Sequence, residues 1–126
     1  MKGYNQGVVY SNTEIATNIY EMKVTSPNHL GLPGQFYMLK SWGLDPFLSR
    51  PISISNIEDD MIIFLYEVRG KGTDIFSRLK EGDSIELLGP LGNGFNLEKV
   101  ANKTSLCHIA IISGGIGIAP MIYLAK

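Results

Sequence analysis

Over residues 1–100 the apolar positions alternate with polar ones or gather in runs of strand length. Glycine, proline or an Asx residue interrupts them before a helical period can build. Residues 7–16 and 18–25 are β-rich, and Pro27-Asn28-His29 breaks the second stretch. Pro33-Gly34 opens Gln35-Phe36-Tyr37-Met38-Leu39-Lys40, and residues 41–49 make a loop that holds Trp42, Gly43 and Asp45-Pro46. An apolar/serine alternation over residues 52–55 leads to the acidic turn Glu58-Asp59-Asp60 and a return strand over residues 61–68. Only one helix interrupts this series. Thr73 is a suitable N-cap for residues 74–79, Asp74 is acidic in the first turn, and Gly82 ends the helix before a strand over 83–88. Six short strands with one embedded helix predict a mostly β fold, a small antiparallel barrel.

The pattern changes after residue 100. Residues 106–112 suit a buried strand, Gly114-Gly115-Ile116-Gly117 a tight turn, and residues 118–126 a helix. Strand, glycine turn and helix in that order open a βαβ unit. The run from Thr104 to Ala125 has no Asp, Glu, Lys or Arg and is long enough to cross a bilayer, but three glycines and Pro120 would break a spanning helix near its centre. The sequence stops at Lys126, inside that helix. The expected division is therefore a barrel over 1–100 and, over 101–126, the start of a nucleotide-binding domain whose remainder lies outside this sequence.

The 126 residues and 13.9 kDa suit one domain, and 44% hydrophobic residues supply a core. Eleven basic residues against twelve acidic ones give a net charge of −1 with no polybasic block, so nothing favours nucleic acid or an anionic membrane. A single cysteine excludes a disulfide scaffold and any cysteine-ligated zinc or iron–sulfur centre built by this chain alone. The first six residues carry no apolar signal core, which sets a cytoplasmic expectation. Cys107 reads as a packing residue. His29 and His108 have no cluster of ligands beside them in sequence, and neither a catalytic triad nor a metal motif can be assembled.

Four segments remain as candidate chemistry. Arg50-Pro51-Ile52-Ser53 brings a planar donor fork and a hydroxyl to a strand entrance; it is equally a surface arginine pairing with Asp45. Gly70-Lys71-Gly72-Thr73 runs into a helix start, where backbone amides favour an anion, or is an ordinary threonine-capped turn. Gly89-Pro90-Leu91-Gly92-Asn93-Gly94-Phe95 is a shaped loop that suits close ligand approach or a domain link. Gly115, Gly117 and Pro120 sit where a dinucleotide fingerprint would, with Pro120 in place of its last glycine.

In this order the four segments resemble the ferredoxin–NAD(P) reductase superfamily along essentially the whole chain. Within it, the Arg50 and Gly89 segments look most like the electron-transfer subunit of NAD-linked dihydroorotate dehydrogenase. Pro33-Gly34-Gln35-Phe36 and Gly72-Thr73-Asp74-Ile75-Phe76-Ser77 point the same way. The resemblance implies a six-stranded Greek-key barrel that binds FAD, followed by an α/β domain for NAD. It implies FAD contacts from Arg50, Pro51, Ile52 and Ser53, from Leu65, Tyr66 and Glu67, and from Gly72 and Thr73, with Gly115, Gly117 and Pro120 on the NAD side. Arg50 and Gly72-Thr73 would face the diphosphate, Ser53 the reactive ring edge, and Pro51-Ile52 the isoalloxazine. Glu67 departs from the arginine of many relatives, which matters little if the backbone makes that contact. The resemblance further implies a subunit that passes electrons between a 2Fe–2S cluster and NAD in dihydroorotate oxidation, a step of pyrimidine biosynthesis. Its partner would be an FMN-containing catalytic subunit. The four cluster cysteines are not in this sequence, so these residues alone should be inactive. Alternative readings are the FAD subunit of a ferredoxin-dependent NADP oxidoreductase, transhydrogenase or sulfide dehydrogenase, or a flavin-binding module without an electron-transfer role.

Overall fold

The computed structural model describes residues 3–27, 29–41, 48–95 and 112–125. Six strands, β1 (Gly3–Ala16), β2 (Ile19–Thr25), β3 (Phe36–Lys40), β4 (Arg50–Glu58), β5 (Met61–Glu67) and β6 (Ser84–Leu91), close into a barrel. Its order is β1-β2-β5-β4-β3-β6, with every neighbouring pair antiparallel. The mostly β barrel expected from the sequence is thus the fold. Helix α1 (Lys71–Ser77) joins β5 to β6, and a 3-10 turn (Gly115–Gly117) leads into helix α2 (Ile118–Leu124). The strand expected over 106–112, Trp42, Asp45, Cys107 and His108 lie outside the described residues. Among the described residues no helix is long and apolar enough to cross a membrane.

Alternation fills the interior. Val9, Met22, Val24, Tyr37, Leu39, Ile62, Phe64, Tyr66, Ile85 and Leu87 point inward from five strands, and Phe76 closes one end from α1. Strand β4 adds Ile52, Ile54 and Ile57, whose spacing shifts from two to three. The β4–β5 register explains the shift. It passes from Ile54↔Phe64 to Asn56↔Ile63, which leaves Ser55 as a bulge. That extra residue returns Ile57 to the core and turns Asn56 outward.

The uninterrupted apolar run of β5 has a second cause. Ile63 and Leu65 face away from the interior, yet are nearly as buried as their neighbours. Helix α2 lies against β4 on this side, and Ile122 shares a small cavity with Ile63, Leu65, Ser55 and Asn56. Its Tyr123 hydroxyl donates to the Gly31 carbonyl at 2.7 Å. Strand β5 is apolar from Met61 to Leu65 because both its faces are covered.

A half-buried polar node fixes α1 to the barrel. Asn12 Nδ2 donates to the Phe76 carbonyl at 2.7 Å and the Leu79 carbonyl at 3.0 Å, which satisfies the C-terminal end of the helix. Its Oδ1 accepts from the Tyr66 hydroxyl at 2.9 Å. Tyr66 stacks on Tyr20 and meets Phe76 edge to face. Burial, as the leading cause, pushes the Tyr66 hydroxyl well above the usual tyrosine value.

A candidate cofactor cleft between splayed strands

The β4–β5 ladder runs from the hairpin Glu58↔Met61 to Ile54↔Phe64, and no further pair joins the two strands among the described residues. Beyond that point each strand turns to its other neighbour. Pro51, Ile52 and Ser53 pair with Met38, Tyr37 and Phe36 of β3, while Leu65, Tyr66 and Glu67 pair with Glu21, Tyr20 and Ile19 of β2. The facing strand edges are left apart. Backbone donors and acceptors along such a gap need a partner from water or from a ligand.

A cleft of about 310 Å³ opens there. One wall is Pro51-Ile52-Ser53 and the other Leu65-Tyr66-Glu67. Arg69 and Thr73 also line it, as do Ile116, Gly117, Ala119 and Pro120 from the turn and helix α2. Of the flavin-side residues implied by the sequence, Pro51, Ile52, Ser53, Leu65, Tyr66, Glu67 and Thr73 come together. Arg50 and Gly72 do not line the cleft, although each adjoins a residue that does. Gly117 and Pro120 line it from the nucleotide side, and Gly115 does not.

Two expectations change in detail. Helix α1 begins at Lys71 with Gly70 as N-cap, so Thr73 is its third residue and not its cap. The Thr73 hydroxyl instead reaches back, accepting from the Arg69 amide at 2.9 Å and the Gly70 amide at 3.1 Å. Because the first helical bond is Asp74 N–H to Gly70 O at 2.9 Å, the Gly72 and Thr73 amides have no intrahelical acceptor. The Gly89 loop, for its part, does not line the cleft. It packs on residues 32–36: the Phe95 amide donates to the Pro33 carbonyl at 2.8 Å and Gln35 Nε2 to the Gly92 carbonyl at 2.9 Å. Its glycines allow that contact; a Cβ on Gly89 would sit 2.8 Å from the Tyr37 ring.

Arg69, Ile116 and Ala119 were not singled out from the sequence. Arg69 sits directly before the Gly70 turn, and a basic residue in that position was the available signal. Its Nε donates to Glu67 Oε1 at 2.8 Å. Arg50 Nη1 donates to the Leu48 carbonyl at 2.8 Å.

No family model matches the chain. It is 49% identical over 123 residues to the dihydroorotate dehydrogenase B (NAD(+)) electron transfer subunit of Clostridium acetobutylicum, covering 98% of this chain and 48% of that protein. The chain spans about half the length of the curated relatives it matches. Among solved structures, a cytochrome P450 reductase from Amycolatopsis superposes with a TM-score of 0.81 at 25% identity, over 97% of this chain and 38% of that one. A ferredoxin NADP+ reductase from Neisseria gonorrhoeae, determined with bound FAD and NADP, superposes with a TM-score of 0.72 over 100% of this chain and 52% of its own; at 19% identity it shows the fold alone. Closed barrel and structural likeness together give this chain the fold of the ferredoxin reductase-type barrel. Its sequence likeness is to the electron transfer subunits of dihydroorotate dehydrogenase B (NAD(+)).

Proposed function

We propose that this chain is the FAD-binding part of an electron-transfer subunit, with residues 1–100 as the flavin barrel and residues 101–126 as the start of an NAD-binding domain. The observation that carries this reading is the splay of β4 from β5, which leaves two strand edges facing one cleft. Those edges fit a flat heterocycle with polar rims. Pro51, Ile52 and Leu65 supply apolar walls, Ser53 a hydroxyl, and the unpaired edges backbone donors and acceptors. The volume lies at the small end of the roughly 300–1,000 Å³ usual for ligand pockets. It therefore suits the ring system, with the rest of a dinucleotide running out past Thr73 and Arg69. The reading assigns the diphosphate there to the Gly72 and Thr73 amides and to Arg50, each at or next to a residue that lines the cleft.

When bound, FAD supplies both one- and two-electron chemistry. The chain's own residues exclude water from the ring faces and leave one side toward the Gly117–Pro120 segment, from which a nicotinamide would approach. In the whole protein this arrangement fits electron passage between a 2Fe–2S cluster and NAD, with an FMN-containing dihydroorotate-oxidising subunit as partner. The likeness to such electron transfer subunits supports that assignment.

Reconstitution tests it. The 126-residue chain, incubated with FAD and desalted, should retain stoichiometric flavin absorbance and show no cluster absorbance. NADH should reduce that flavin at a negligible rate. Failure to retain FAD would refute the cofactor assignment, and rapid saturable reduction by NADH would show that the nicotinamide site is complete within these residues.

A further inference from the structure

The bulge in β4 also shapes a second cavity. Because Ile54 and Ile57 both pack inward, the two residues between them, Ser55 and Asn56, come to the outer face of the sheet. There they are 4% and 8% exposed, and they line a cavity of about 120 Å³ that Ile122 of α2 helps to close. Leu65 is the one residue that lines both this cavity and the cleft. The Ser55 hydroxyl has no hydrogen-bond partner among the described residues. Asn56 Nδ2 donates to Glu58 Oε1 at 3.1 Å. A carboxylate only accepts, so this bond fixes the amide and leaves Oδ1 without a partner among the described residues. Two polar side chains, each more than nine-tenths buried, thus keep an acceptor free beside one cavity, and groups so buried need a partner.

The lining decides the chemistry of that partner. Half-buried Glu21 of β2 joins it, and its carboxylate has neither an ion pair nor a hydrogen bond among the described residues. Three free acceptors match the three donors of a primary ammonium. Ile15, Ile63, Leu65 and Ile122 match an aliphatic stem. Two carboxylates, Glu21 and Glu58, against the single cation Lys23 favour a positive guest. We infer that this cavity binds a primary aliphatic ammonium group, carried by a small amine or by a lysine side chain, with Ser55 Oγ, Asn56 Oδ1 and the Glu21 carboxylate as its acceptors. Lys23 has no ion pair among the described residues, and its like charge opposes the guest and limits affinity. The site does not depend on the flavin reading.

Amide NMR titration of the full 126-residue chain with n-butylammonium chloride tests this, with sodium chloride at equal ionic strength as the reference. Saturable shifts should centre on Ser55, Asn56, Leu65 and Ile122. Tetramethylammonium, a cation without N–H donors, and n-butanol, a stem without charge, should bind at least about fivefold more weakly. E21Q should weaken butylammonium by about tenfold, through loss of one charge-assisted hydrogen bond, and S55A by about threefold. K23Q should instead tighten it by about two- to fourfold, since a repelling charge is gone. Glu21 and Lys23 are half-buried and lie outside the core, and the dispersion of the amide spectrum checks that each variant is folded. If S55A is not, the opposite signs of E21Q and K23Q still decide. Nα-acetyl-lysine N-methylamide separates the two sources: binding as tight as that of butylammonium assigns a lysine side chain, and its exclusion assigns a free amine. Shifts no larger than those of sodium chloride overturn the inference and leave a cavity that holds only water. Equal binding of tetramethylammonium, or E21Q and K23Q effects of the same sign, overturns it as well.

Discussion

Replacing Asn12 by alanine removes a side chain that ties β1, β5 and α1 together. Three hydrogen bonds are lost: two donated by Nδ2 to the Phe76 and Leu79 carbonyls and one accepted from Tyr66. The losses are unequal. The Phe76 carbonyl still accepts from the Leu79 amide at 3.1 Å, and Leu79 is half-buried, so water can replace its lost partner. Tyr66 is 1% exposed, and its hydroxyl is left without a partner. An orphaned buried donor costs about 1–3 kcal/mol, and each of the other bonds about 0.5–1.5 kcal/mol net. N12A should therefore lose about 3 kcal/mol, a large part of the roughly 5–15 kcal/mol available to a domain. The melting temperature should fall by on the order of 10 °C.

The orphan makes the prediction specific. Y66F alone should cost about 1 kcal/mol, because it removes one bond and leaves Asn12 Oδ1 within reach of water. In the N12A background the same change should cost nothing or should stabilise, since it deletes the unsatisfied hydroxyl. Urea unfolding of the wild type, both single variants and the double variant, followed by circular dichroism, measures all four corners. Additive single effects, or an N12A loss below about 0.5 kcal/mol, would refute the reasoning.

Two further perturbations test other parts of the barrel. Burial, with a smaller push from Tyr123, raises the Tyr37 hydroxyl to about 12, and it donates to the Leu30 carbonyl at 2.6 Å. The unfolded chain ionises this group near 10, so the folded state holds the extra proton above that pH. Stability should be full below about pH 10 and drain toward pH 12, by up to about 2–3 kcal/mol. Urea midpoints taken across this range should fall less steeply in Y37F, and an unchanged slope would exclude Tyr37 as a cause. G89A should destabilise by at least about 2 kcal/mol, since its Cβ meets the Tyr37 ring at 2.8 Å and φ is +158°. G82A, at φ +93° in open space, should lose only the backbone term of about 1–2 kcal/mol; equal losses at the two sites would show that the Tyr37 contact is not limiting.

Much of this architecture was legible in the residues, for physical reasons. Strand periodicity and turn residues respond to local geometry, so the six strands and both helices could be placed within a few positions. The start of α1 was misplaced because Thr73 has capping chemistry, and only the fold shows its hydroxyl reaching backward to the amides of Arg69 and Gly70. The covered outer face of β5 was not predicted either, since it depends on where α2 lies. The Gly70 and Gly89 segments both read as candidate ligand loops. One borders the cleft and the other clasps residues 32–36, a difference set by tertiary contacts that no local pattern encodes. Arg69 was overlooked because a lone arginine carries no periodic signal. Its standing comes from the strands that converge on it.

The bulge at Ser55 connects core packing to the cleft. Barrel closure asks β4 to pair with β5 and β3 at once, and strand twist makes it costly to keep both ladders aligned over nine residues. A bulge increases local twist and bends its strand. Here it sits next to Ile54↔Phe64, the last pair of the β4–β5 ladder. Past it, residues 51–53 follow β3 and residues 65–67 follow β2, so the gap arises where the strand is already bent. The extra residue thus has two consequences: it returns Ile57 to the core below, and it marks the point above which the strand edges part. Helix α2 then packs against β4 beside the same bulge, with Ile122 sharing a cavity with Ser55 and Tyr123 anchored at Gly31. The turn that precedes α2 is thereby held over the opening between the strands. The cleft and its cover are positioned by one irregularity in one strand, which is why the residues that form them are scattered in sequence from Pro51 to Pro120.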